Sequence, residues 1–250
     1  MGELAAYRRN TYSQNGEDGV IEEIFRRLKV SQGWFCEFGA WDGRYGSNCY
    51  KLLRKGWNGV MIEGDHERYG RLMELGRRFP KLVTIEAYVS HDWTSEKCLD
   101  ALLATTPIPK DFELLSIDID GFDYQVWEAF VHFRPRLVII EINSRIPPGA
   151  HAIHGSSQSG SSFSAMLGLG ISKGYTLVAH TGNMFFVRSD LVEQLLLPSE
   201  DIRTPESLFV SSWVNPTRFQ VFVRKLGFMT PQRAAIKIDN WLRDRRWHQR

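Results

Sequence analysis

The densest chemistry in this chain of 250 residues lies in Ser116-Ile117-Asp118-Ile119-Asp120-Gly121-Phe122-Asp123, where three carboxylates fall within six residues. Packed side by side, such groups repel one another unless a cation is present. Two further oxygen donors follow in Glu141-Ile142-Asn143. Alternate side chains of a strand share a face, so Asp118 and Asp120 would point one way, and Glu141 and Asn143 likewise. One reading is a divalent metal on Asp118 or Asp120, completed by Glu141 and Asn143. Oxygen ligands of this kind suit Mg2+, Ca2+ or Mn2+. The other reading has Asp118 hold the amino group of a cofactor while Asp120 caps the next helix.

A second constellation is Glu37-Phe38-Gly39-Ala40-Trp41-Asp42-Gly43, directly after an apolar stretch and ahead of Ser47 and Asn48. Gly39 allows a sharp turn and Gly43 tolerates positive φ. A turn through Gly39, Ala40 and Gly43 brings backbone N–H groups close to a ligand. Glu37 and Asp42 make it acidic, which repels a pyrophosphate but not the α-ammonium and sulfonium of S-adenosylmethionine. The spacing also departs from G-x-G-x-x-G, so NAD is disfavoured. Glu63, in Met61-Ile62-Glu63-Gly64-Asp65, lies 20 residues past Gly43. At that register a carboxylate ending a strand accepts both ribose hydroxyls of an adenosine. Asp65 is either a weaker ribose candidate or a helix N-cap. Ser47, Asn48, Gly64, Tyr88 and Asp118 complete the candidate cofactor residues.

The loop Pro147–Ser162 carries His151 and His154, and its 16 residues are long for a connection in a compact domain. A histidine titrates near neutrality and could deprotonate a substrate hydroxyl. His154, the nearer of the two to Ser156, Ser157 and Gln158, is the candidate base, with Asp118 and Asp120 as candidate catalytic carboxylates. The small polar residues would hold a polar substrate.

These residues need a scaffold, and the hydrophobic pattern supplies one. Short apolar runs at Trp34–Phe38, Gly59–Ile62, Leu82–Ala87, Leu114–Ile117 and Leu137–Ile140 read as strands buried on both faces. Helical stretches lie between them at Ser47–Leu53, His66–Leu75, Ser95–Leu103 and Tyr124–Phe130. This alternation predicts a parallel sheet with helices on both faces. A helix at Ser161–Lys173 then precedes Tyr175–Ala179 and Met184–Val187, joined through Thr181-Gly182-Asn183, a hairpin signal. Five crossover strands ending in an antiparallel pair distinguish a methyltransferase-type sheet from an ordinary dinucleotide-binding one. Ser13–Leu28 reads as a preceding helix with acids at its start and bases at its end. The division is residues 1–30 as a helical segment over the cofactor site, 31–198 as the cofactor-binding domain, and 199–250 as a basic, aromatic extension suited to a homo-oligomer contact.

Composition narrows the partners. Formal net charge is +2, too little to argue for nucleic acid, and no Asn-Pro-Pro-Tyr-type base-methylation motif occurs. No apolar run approaches the ~18 residues that span a bilayer. The N-terminus lacks an apolar signal core, and Ala6 stands where a myristoylation site needs Ser or Thr. A cytoplasmic location is expected. Cys36, Cys49 and Cys98 are odd in number and widely spaced, which fits neither a disulfide framework nor a zinc cluster.

Taken together, the segments Ser13-Gln14-Asn15-Gly16-Glu17-Asp18, Glu37 to Gly43 with Ser47-Asn48, Met61 to Gly64, Ser116 to Asp123, Lys173 to Val178 and Asn183 to Val187 resemble the FkbM-type family of S-adenosylmethionine-dependent methyltransferases. The likeness covers about residues 11–190. It implies a Rossmann-like class I methyltransferase fold and, commonly, O-methylation of sugars or natural products. It makes Glu37, Gly39, Asp42 and Gly43 cofactor-turn residues, Glu63 the ribose acid, and Asp118 and Asp120 site carboxylates. Family members carry Asp-Val-Glu-Gly after a Lys where this chain has Asp118-Ile119-Asp120-Gly121 after Ser116. That departure leaves room for a metal, by similarity to catechol-type methyltransferases. The expected acceptor is a polar small molecule or carbohydrate. Two rival readings remain: a metal-dependent sugar-nucleotide transferase using Asp118 and Asp120, and a non-catalytic cofactor-binding interaction module.

Overall fold

A computed structural model of the protein describes residues 2–155 and 160–210. Seven strands form one sheet: β1 (Trp34–Phe38), β2 (Asn58–Glu63), β3 (Leu82–Glu86), β4 (Leu114–Ile117), β5 (Leu137–Glu141), β6 (Tyr175–His180) and β7 (Asn183–Arg188). Their spatial order is β3-β2-β1-β4-β5-β7-β6. Neighbours from β3 through β5 are parallel, and β7 runs antiparallel to both β5 and β6. This is the mostly parallel Rossmann-like class I methyltransferase architecture with its C-terminal antiparallel hairpin.

Helices cover both faces: α1 (Glu17–Arg27), α2 (Tyr50–Arg54), α3 (His66–Arg78), α4 (Leu99–Ala104), α5 (Asp123–Ala129), α6 (Phe163–Ser172) and α7 (Ser199–Arg203). The strands alternate, so successive residues feed two cores. Cys36, Val60, Leu115, Val138 and Phe186 pack with Leu103 of α4, Trp127 of α5 and Met166 of α6. Phe35, Met61, Leu114, Ile139 and Phe185 pack with Ile24 of α1, Leu53 of α2 and Leu75 of α3. Each fully buried large apolar side chain contributes about 1.5–3 kcal/mol, so burial on both faces fixes strand register firmly. All three cysteines are free and buried, acting as small core residues.

Several boundaries differ from expectation. α1 starts at Glu17, not Ser13, because the Asp18 carboxylate gathers the N–H groups of Thr11, Tyr12 and Ser13 and bends the chain there. α2 starts at Tyr50, not Ser47, because Ser47 and Asn48 turn inward to Glu37. The extension expected from residue 199 is not separate at its beginning: Leu208 is buried, and the Val210 N–H donates to His180 Nδ1 at 3.0 Å. Residues 211–250, which include the basic aromatic end, lie outside the described residues, as do Ser156, Ser157 and Gln158. Among the described residues no helix is long and apolar enough to cross a membrane.

Candidate active site

The strand order reverses direction between β1 and β4, and ligands of open α/β sheets bind beyond the strand ends at such a switch point. Here the two loops meet at backbone level. Gly39 has φ of 73°, and a Cβ there would lie 1.8 Å from the Asp118 carbonyl oxygen. Only glycine permits both the left-handed turn and the approach. Gly43 takes the same left-handed φ of 73°, and its Cβ would also strike Leu75, Leu72 and Met61.

Glu63, buried at the end of β2, ties the glycine turn to the next loop. Its carboxylate accepts the Trp41 N–H and the Asp65 N–H, each at 2.8 Å. Trp41 itself adopts φ of 51° and lies under the Arg68 guanidinium. Asp65 caps α3 by accepting the Arg68 N–H. Tyr88 is 70% exposed, and its ring lies against Gly64, where a Cβ would come within 2.3 Å of it. Glu63, Gly64 and Tyr88 thus border one rim next to the glycine turn. Ala40, also buried, donates its N–H to the Ile62 carbonyl.

The other predicted turn residues are engaged more locally. Asp42 accepts the N–H groups of Arg44 and Tyr45. Glu37 is buried beneath the turn, where it accepts the Ser47 hydroxyl and the Asn48 N–H. Asn48 Nδ2 donates in turn to Ser116 Oγ at 3.1 Å on β4. Burial pushes the Glu37 carboxyl up to about 7, against the lowering effect of these hydrogen bonds.

Beyond β4 and β5, carboxylate oxygens of Asp118, Asp120 and Glu141 lie within 4.8 Å of one another. Strand alternation does not bring this about, because β4 ends at Ile117 and β5 at Glu141. A turn does. The buried Asp123 carboxylate accepts the Ile119 N–H and the Gly121 N–H, each at 2.9 Å, and Asp120 between them takes φ of 58°. Asp118 and Glu141 share a hydrogen bond. Burial, then the charge of Glu141, raises the Asp118 carboxyl well above the usual carboxylate range. Burial likewise pushes Glu141 up to about 7. Asn143 is engaged in the following turn, where its Oδ1 accepts the Arg145 N–H at 3.2 Å.

His154, in the loop after β5, lies beside Gly121 of the turn that carries Asp120. Its ring lies over Gly121, with Nε2 3.1 Å from where a Cβ would stand. The loop is pinned at its base by Ala152 and Ser162, which exchange hydrogen bonds. His154 Nδ1 accepts the Gly160 N–H at 3.0 Å. With Nδ1 accepting, Nε2 is the ring nitrogen placed to carry the proton and donate. Phe122, 43% exposed, stacks on His91 at 4.8 Å and meets His154 edge-on at 4.6 Å. His151 is exposed.

Sequence reasoning does not single out Trp41, Phe122, His91 or the structural part of Asp123. For Asp123 a signal exists: a carboxylate two residues past Gly121 and opening a helix is a common backbone-capping arrangement. Phe122 and His91 are 31 residues apart, and nothing local joins them.

No family model matches the chain, and no curated protein matches its sequence. Similarities appear among solved structures. Monomeric WbdD is 16% identical over 68% of this chain, with a TM-score of 0.43, and the chain spans 39% of that protein's length. A SAM-dependent methyltransferase from Aquifex aeolicus is 8% identical over 67% of this chain and 89% of its own, with a TM-score of 0.40. A TehB-like SAM-dependent methyltransferase from Corynebacterium glutamicum is 11% identical over 74% of this chain and 92% of its own, also at 0.40.

Proposed function

We propose that the chain is an S-adenosylmethionine-dependent methyltransferase acting on a hydroxyl of a polar small molecule or carbohydrate. The observation that carries this is the acidic rim at the switch point, where Glu63 is stapled to the glycine turn and Gly39 abuts the end of β4. A carboxylate in that place suits ribose hydroxyls, and an acidic surround suits a cationic donor far better than a pyrophosphate. The residues fit the cofactor: Glu63 for the ribose, with Gly64 and Tyr88 on the adenosine side. Bound S-adenosylmethionine supplies a methyl group already activated by its sulfonium.

The chain's own work is then alignment and proton transfer. Asp120 is the exposed member of the triad and would take the proton of the acceptor hydroxyl as that oxygen bonds to the methyl carbon and the methyl–sulfur bond breaks, S-adenosylhomocysteine leaving as the neutral thioether. His154 Nε2–H donates a hydrogen bond to the acceptor, and Phe122 offers it an apolar face. The Asp118–Glu141 contact needs either a proton or a cation between the two acids. Asp118, Asp120 and Glu141 would hold a divalent ion, whose chemistry is to lower the pKa of a bound hydroxyl.

Methyl transfer from labelled S-adenosylmethionine to a panel of hydroxylated acceptors tests the proposal. Activity lost in EDTA and restored by Mg2+ or Mn2+ supports the metal form. Full activity in EDTA eliminates the metal form. Absence of transfer to any hydroxyl, with transfer to an amine instead, overturns O-methylation.

A further inference from the structure

Three ring side chains from three loops meet beside the turn that carries Asp120. His91 lies after β3, Phe122 after β4 and His154 after β5, all at the end of the sheet where ligands bind. The His91 ring is parallel to that of Phe122 within 3°, with centroids 4.8 Å apart. His154 meets Phe122 at 4.6 Å and 68°. These are the stacked and edge-on arrangements that aromatic pairs favour. Both partners are held from outside the cluster. Gln125 Nε2 donates to the His154 carbonyl at 2.9 Å, and the Gly160 N–H holds the ring at Nδ1. His91 sits in a turn closed by the Ser90–Cys98 bridge and by the Asp92 N–H on Ser90 Oγ. Braced in this way, Phe122 still leaves 43% of its surface open, and Ile153, next to His154, leaves 37%. The open ring stands two residues from Asp120, the exposed acid of the triad.

The second observation is the kind of proton acceptor beside that ring. Asp120 is a carboxylate, and His154 Nε2 is placed to donate. A carboxylate is a weak base, so the hydroxyl it can serve must itself be acidic. A phenolic hydroxyl, as in tyrosine, has a pKa of ~10, against ~15.7 for water, the closer guide to an aliphatic alcohol. The phenolic proton is easier to remove by a factor of about a million.

We propose that the acceptor is a phenol, its ring against the open part of Phe122 and its hydroxyl between Asp120 and His154 Nε2. The inference rests on the methyltransferase reading above and narrows its acceptor to an aromatic ring. A hydroxyl ~2.9 Å from Nε2 belongs to a ring within reach of Phe122, since the Phe122 and His154 centroids are only 4.6 Å apart. In the transfer the phenol oxygen bonds to the methyl carbon, and the methyl–sulfur bond breaks with its electron pair going to sulfur. The proton passes to Asp120. The products are an aryl methyl ether and neutral S-adenosylhomocysteine. Phe122 is the residue that selects the acceptor, and His91 is a positioning residue that acts through it.

Methyl transfer from labelled S-adenosylmethionine by the full chain, with Mg2+ present, tests this on p-cresol, cyclohexanol and methyl glucopyranoside. We expect p-cresol to be methylated, with kcat/KM for the other two lower by about 100-fold or more. Phe122→Leu keeps an apolar side chain and removes the ring. It should raise KM for p-cresol about 2–12-fold and leave S-adenosylhomocysteine affinity, read by calorimetry, unchanged. Phe122→Tyr, which returns a ring, should return KM to near the wild-type value. His91→Ala, at an exposed position, should raise KM in the same direction and serves where Phe122→Leu is poorly folded. Transfer to cyclohexanol or the pyranoside that matches p-cresol, no transfer to p-cresol, or an unchanged KM in both ring-removing variants overturns the proposal. A wild-type chain that does not bind S-adenosylhomocysteine overturns the methyltransferase reading itself.

Discussion

Replacing Glu63 by Gln removes one charge and one acceptor while keeping the side chain's length. Glu63 is 6% exposed, and its two oxygens accept the Trp41 and Asp65 N–H groups at 2.8 Å. The Gln amide can face only one of these donors with its oxygen and must set its NH2 against the other. One charge-assisted hydrogen bond is lost and one buried donor is orphaned, at a cost of about 2 kcal/mol. For a chain of this size that is about 4–8 °C in Tm. The same change deprives a ribose of its carboxylate, which should weaken S-adenosylhomocysteine binding by about 1.5–3 kcal/mol, or about 10–150-fold. Calorimetry with S-adenosylhomocysteine and its 2′-deoxy analogue separates the two effects. In the wild type, loss of the 2′-hydroxyl should weaken binding; in Glu63→Gln the further loss should largely vanish. An undiminished 2′-deoxy penalty in the variant would refute a ribose role for Glu63, even if Tm falls by the expected amount.

Gly39→Ala should destabilise by about 2–4 kcal/mol in urea unfolding, from a left-handed Ala and the overlap with the Asp118 carbonyl together; wild-type stability would mean the β1 and β4 loops are not in contact. Glu37, raised from 4.5 to about 7 chiefly by burial, holds a proton in the folded chain that the unfolded chain has released. Its stabilising contribution is complete below about pH 4.5 and is lost as pH rises through about 7, at most about 3 kcal/mol. Unfolding curves at pH 5 and 8 should therefore lie closer together in Glu37→Gln than in the wild type, and parallel pH dependence in the two would contradict the burial of this group. Asp123→Ala frees the Ile119 and Gly121 N–H groups and should cost about 2–4 kcal/mol. It should also abolish turnover by letting Asp120 leave its left-handed conformation, and an active variant would show that the turn does not need the staple.

The sheet is legible in the sequence because burial on both faces writes near-continuous apolar runs for most strands, and all seven strands fall where apolar runs lie; the edge strand β3, expected to be buried on both faces, is only half-buried. The glycine turn and Glu63 are legible because their spacing is set by strand and helix lengths. The triad's members can be named from their types, but strand alternation does not assemble them. β4 ends before Asp118 and Asp120, and Asp123 shapes the turn that gathers them. Asp18 reads from sequence as an acid placed for the helix dipole, whereas its main partners are N–H groups five to seven residues earlier. Among the helices that start later than their sequence suggests, α1 and α2 do so for a related reason. Side chains that bond to backbone, such as Ser47 and Asp18, bend the chain where propensity alone would continue a helix. The His154 tautomer depends on Gly160, six residues on, and no composition or spacing encodes that contact.

The most direct test of an acid-rimmed site for a cationic adenosine donor is a thermal-shift comparison on the full chain, S-adenosylhomocysteine against UDP-sugars with Mg2+. A ligand at about 100 times its Kd stabilises by about 2.7 kcal/mol, so S-adenosylhomocysteine should raise Tm by several degrees while UDP-sugars leave it unmoved. A rise with UDP-sugars and none with S-adenosylhomocysteine would contradict the methyltransferase reading and favour a nucleotide-sugar transferase.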